Sequence, residues 1–114
     1  MRLFRLSWLF AALLASAPLC AAEQHASFTI TQQRIANPAP TVRVAQGDTL
    51  VLELRSDTTL DLHLHGYDLA LSLKPGTPGR LQLVAHTLGR FPLAPHGKGH
   101  HHGPALLYLE VVPR

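Results

Sequence analysis

Leucine recurs at every second position through the middle of the chain. Leu50, Leu52 and Leu54 alternate with Val51, Glu53 and Arg55, and Leu60, Leu62 and Leu64 alternate with Asp61, His63 and His65. A period of two is that of a strand with one face buried. Leu69, Leu71 and Leu73 repeat it, as do Leu81, Leu83 and Ala85. No stretch keeps helical periodicity over about ten residues.

Chain-turning residues separate these runs. Asn37-Pro38-Ala39-Pro40, Gln46-Gly47-Asp48, Ser56-Asp57, Lys74-Pro75-Gly76-Thr77-Pro78-Gly79 and Thr87-Leu88-Gly89 each supply turn chemistry. Phe28, Thr29 and Ile30 begin a strand expected to run to about Ile35, where the prolines end it because they offer no ladder donor. Val42 and Val44 mark a second strand. Residues 91–95 lead into a loop, and residues 106–112 form the last strand. Seven or eight short strands at this spacing predict an all-β fold, either a two-sheet sandwich or a small Greek-key barrel.

The beginning of the chain breaks the pattern. Arg2 and Arg5 precede an apolar run over residues 6–19, interrupted only by serines and Pro18, and Cys20 and Ala22 place small residues at −3 and −1 before Glu23. This is the form of a cleaved signal peptide, so residues 1–22 are expected to leave and residues 23–114 to form one domain. The run is shorter than the roughly twenty residues a spanning helix needs, so no stable membrane anchor is expected after cleavage. Leu19 is bulky where a lipid-attachment signal wants a small residue before the cysteine. A periplasmic or secreted protein follows.

Export changes the charge and the cysteine inventory. Loss of Arg2 and Arg5 leaves lysines and arginines nearly balanced by the seven acidic residues, and no basic cluster remains. Nucleic acid is therefore not an expected partner. The one cysteine, Cys20, leaves with the signal, so the domain must fold on its core alone.

The chemistry concentrates in histidine. Of eight histidines, six lie in two places: His63 and His65 on one strand face, and His96, His100, His101 and His102 in a glycine-rich loop. Side chains two apart on a strand share a face. Glycines around the loop let imidazoles swing toward a common point. Neutral imidazole suits Cu(II), Zn(II) and Ni(II), and nitrogen sites generally favour copper among the divalent first-row metals. Asp61 and Asp68 read as strand-end and turn residues, and His25 and His86 as surface residues. No Gly-x-Ser-x-Gly elbow and no mature cysteine nucleophile is present, so an enzyme is not expected.

The order of motifs resembles the cupredoxin family. A signal peptide precedes Val-x-Val-x-x-Gly-Asp-x-Leu over Val42 to Leu50. There follow a histidine ending a middle strand, a Pro-Gly turn, Gly89-Arg90-Phe91, and Ala94-Pro95-His96 before the final strand. The resemblance covers about residues 27–113 and implies a Greek-key β-sandwich. It also implies metal ligands at His65, in the first ligand's place, and at His96. Leu93 stands where blue-copper members carry the ligand cysteine, and His101 falls near the axial methionine position. The ligand set is thus drawn from His65, His96, His63, His101, His100 and His102, with copper the expected metal and zinc the second choice. The expected role is metal handling, by capture, delivery or resistance, with the metal ion and another metal-handling protein as partners. A metal-free interaction module with an exposed histidine loop, or an electron carrier with an atypical copper site, are the alternatives.

Overall fold

The computed structural model describes Ala12, residues 21–97 and residues 103–114. Eight strands follow one another: β1 (Glu23–Ile30), β2 (Thr41–Ala45), β3 (Thr49–Ser56), β4 (Leu60–Leu64), β5 (Leu69–Leu73), β6 (Gly79–Val84), β7 (Gly89–Pro95) and β8 (Leu107–Val112). They form two sheets, ordered β1-β3-β6 and β2-β8-β7-β4-β5. β1 runs parallel to β3 and β2 parallel to β8, while the other pairs are antiparallel. The chain therefore crosses repeatedly between sheets, as in a Greek-key sandwich, and the all-β expectation is met.

The core is the interleaved leucine set that the alternation marks. Ile30, Leu50, Leu52 and Leu54 of one sheet face Leu60, Leu62, Leu64, Leu93, Leu107 and Leu109 of the other, all buried. Because the leucines of β4 fill the face turned to the core, the residues between them are turned to the other face. That constraint places Asp61 and His63 on the outer face of β4, and His65 follows one residue past its end, where its amide still donates to the Pro92 carbonyl at 3.1 Å.

β1 differs from the expected strand at both ends. It begins at Glu23 and stops at Ile30, because Thr31 and Arg34 close a tight turn through reciprocal backbone hydrogen bonds of 2.9 and 3.1 Å. Gln32 and Gln33 lie at φ 50° and 63°, a left-handed conformation that ends a strand. The Gln32 amide donates to the Asp57 carboxylate, which fixes the turn. The early start is carried by backbone pairing to β3, to which apolar periodicity is blind.

Asp48, in the Gly47-Asp48 turn, is buried. Its carboxylate accepts hydrogen bonds from the Ala22 amide (3.0 Å) and Gln24 Nε2 (2.8 Å), and pairs with the Arg114 guanidinium. One carboxylate thus fastens the start of β1 to the segment beyond β8.

Candidate metal centre

The pairing of β4 with β7 brings the two histidine groups together. Leu62 lies opposite Pro95, His63 opposite Ala94 and Leu64 opposite Leu93. The His96 amide extends the ladder by donating to the Asp61 carbonyl at 2.7 Å. His96 is therefore one step beyond Pro95 on the same outer face, diagonal to His63, at the range where long side chains on neighbouring strands meet. The ring centroids of His63 and His96 are 6.1 Å apart with planes at 58°. Those of His63 and His65 are 4.7 Å apart, edge to face at 84°.

Small residues make room around His63. Its cross-strand neighbours are Ala70 on β5 and Ala94 on β7. An open pocket of ≈350 Å³ follows, walled by Asp61, His63, Ala70, Leu71, Ser72 and His96. The Ser72 hydroxyl donates to Asp61 Oδ1 at 2.7 Å, holding that carboxylate across the strand pair.

His63 is oriented from the turn that follows β4. Asp68, at φ 52°, presents Oδ1 to His63 Nε2 at 3.0 Å. The other ring nitrogen, Nδ1, is buried and has no hydrogen-bond partner among the described residues. A carboxylate on one nitrogen fixes the neutral tautomer with its proton on that side, leaving the lone pair on the other. Gly66 begins the turn at φ +84°, and a Cβ there would overlap the Phe91 ring. The residue after His65 must therefore be glycine for the turn to close against β7.

His63, His65 and His96 are thus neighbours on one face. Among the described residues, however, no group of three or more His, Cys, Asp or Glu side chains is placed to hold a metal ion. His100, His101 and His102 lie outside the described residues. Leu93 is 1% exposed and packs in the core. His25 and His86 are exposed, as expected. Sequence reasoning missed the pairing of Asp68 with His63, since Asp68 is closer in sequence to His65. The Asp-to-histidine spacing was visible; the strand end that turns Asp68 back was not.

The sequence matches no protein-family profile and no curated protein. The architecture does match solved structures. A multicopper oxidase is 15% identical, with 80% of this chain covering 42% of that one at a TM-score of 0.60. The copper-containing nitrite reductase of Thermus scotoductus is 19% identical, with 83% and 28% coverage and a TM-score of 0.58. A chain of a heme-copper terminal oxidase dimer is 17% identical, with 80% and 65% coverage and a TM-score of 0.56. The chain spans less than two thirds of each of these proteins. The fold is cupredoxin-like. No helix among the described residues is long and apolar enough to cross a membrane.

Proposed function

We propose that this domain is an exported copper-handling protein that takes up Cu(II), with Zn(II) a weaker competitor. The donors are imidazole nitrogens of His63, His65 and His96, completed by one or more of His100, His101 and His102. The observation that carries this reading is His63. Its Nδ1 is buried without a partner among the described residues while Asp68 holds Nε2. A histidine that ligates a metal through one nitrogen is typically held through the other by such a carboxylate. A buried imidazole nitrogen left unpaired otherwise costs stability.

The donor set also defines what kind of site this is. With Leu93 in the core and no cysteine in residues 23–114, the thiolate of a blue-copper centre has no source. All-nitrogen coordination holds Cu(II) but reorganises on reduction, which fits cargo better than electron relay. The metal is then a substrate to be captured and passed on, and the partner in that exchange is another metal-handling protein. We assign no catalytic residue. Titration of the purified mature protein carrying His25→Ala, so that binding near the start of the chain does not contribute, with Cu(II), Cu(I) and Zn(II), and metal analysis of the protein as isolated, tests the reading. Cu(II) bound more tightly than Zn(II) supports it, and absence of Cu(II) binding contradicts it.

A further inference from the structure

We propose a second metal site, at the processed amino terminus: with residues 1–22 removed, Glu23, Gln24 and His25 chelate Cu(II) or Ni(II) in a square plane. The proposal rests on cleavage between Ala22 and Glu23. It is independent of the histidine cluster, which belongs to the other sheet.

The chemistry is that of a histidine in third position from a free amine. Four nitrogens lie in one plane: the α-amine of Glu23, the amides of Gln24 and His25, and His25 Nδ1. On binding, the α-ammonium and the two amides each release one proton to solvent. Square-planar nitrogen coordination suits Cu(II) and Ni(II). Zn(II) has no such geometric preference, so the site discriminates against zinc.

The structure leaves this end of the chain available. β1 is an edge strand with β3 as its one neighbour. The Thr49 amide donates to the Ala22 carbonyl at 3.0 Å, which turns the backbone of the even-numbered residues toward β3. By the alternation of a parallel ladder, the main-chain groups of Glu23 and His25 face the open edge. Their side chains share an outward face, 56% and 64% exposed, with His25 Nε2 3.1 Å from Glu23 Oε1. The third residue's imidazole is thus already folded back toward the first, held by the nitrogen that the chelate does not use.

Cleavage itself loosens the segment, because it removes both the Thr49 bond to Ala22 and the Ala22 bond to Asp48. What remains to be given up is the pairing of Gln24 with β3 and its side-chain bond to Asp48. Residues 26–30 keep their register with residues 52–56.

Nickel(II) is the probe, because a square-planar nitrogen complex is yellow and diamagnetic, unlike Ni(II) held by histidine side chains in a six-coordinate site. Exported, purified protein is first checked by intact mass, then titrated with Ni(II) and followed by visible absorption and NMR. The expected result is a chain beginning at Glu23 that forms one diamagnetic complex. The complex disappears in His25→Ala and in a chain with one glycine added before Glu23, and persists in a His63→Ala/His96→Ala variant. A mature chain beginning elsewhere overturns the premise. A chain beginning at Glu23 that forms no diamagnetic complex, or keeps it in His25→Ala or the extended chain, overturns the chelation.

Discussion

Gly66→Ala is expected to destabilise the domain by about 2–5 kcal/mol, and the structure separates that loss into two parts. The backbone at Gly66 has φ +84°, a conformation that costs a non-glycine residue roughly 1–2 kcal/mol. The new methyl must also displace the Phe91 ring, which is held edge to face by Tyr67 at 5.0 Å, and overpacking of this kind costs about 1–3 kcal/mol. Gly76 provides the control. Its φ is +79° but a Cβ there meets nothing within 4 Å, so Gly76→Ala carries the backbone part alone. Urea and thermal unfolding of residues 23–114 measure both variants, each kcal/mol corresponding in the thermal experiment to a fall in Tm of about 4–8 °C for a domain of this size. Adding Phe91→Leu to Gly66→Ala should restore part of the loss relative to Phe91→Leu alone. Equal losses for Gly66→Ala and Gly76→Ala would refute the claim that the turn after His65 is packed directly on β7.

Three further outcomes follow from the site. Copper(II)-loaded protein should be pale, with weak d–d absorption; an intense thiolate charge-transfer band would mean that a sulfur ligand had been overlooked. In a His25→Ala background, copper affinity should fall steeply from about pH 7 to pH 5, because an imidazole must be neutral to ligate and free imidazole has a reference pKa of about 6.5; an affinity flat across this range would exclude imidazole as the main donor. In the same His25→Ala background, Asp68→Gly, which tolerates the left-handed backbone at this position, should weaken copper binding about 10–100-fold by releasing His63; unchanged affinity in calorimetric titration would remove Asp68 from the site.

Much of this architecture was legible because leucine marks one strand face so consistently. The alternation from Leu60 to His65 suffices to put Asp61, His63 and His65 opposite the core, and burial of Leu60, Leu62 and Leu64 meets that expectation. The resemblance over residues 27–113 supplied the crossing pattern, and the solved structures share the cupredoxin-like fold. The limits of β1 were not legible, since its early half pairs through backbone with polar side chains outward, and its end is set by two left-handed glutamines. Nor was the environment of His63. The alanines that flank it and the diagonal approach of His96 arise from register between β4, β5 and β7, which a single sequence does not state. The turn at Gly66 and Asp68 hides the last element, bringing a carboxylate back over a residue five positions earlier.

The central claim is that the fold, rather than the histidine loop alone, builds the copper site. Competitive Cu(II) titration tests it directly in a His25→Ala background, which removes the amino-terminal chelate. The parent in this background should bind one Cu(II), and His63→Ala, His65→Ala and His96→Ala should each weaken binding at least about tenfold. Replacing any one of His100, His101 and His102 should matter less, since they can substitute for one another. Parent-like affinity in all three of the first variants, with binding abolished by removal of His100, His101 and His102 together, would contradict the account and leave a loop chelator on a cupredoxin-like frame.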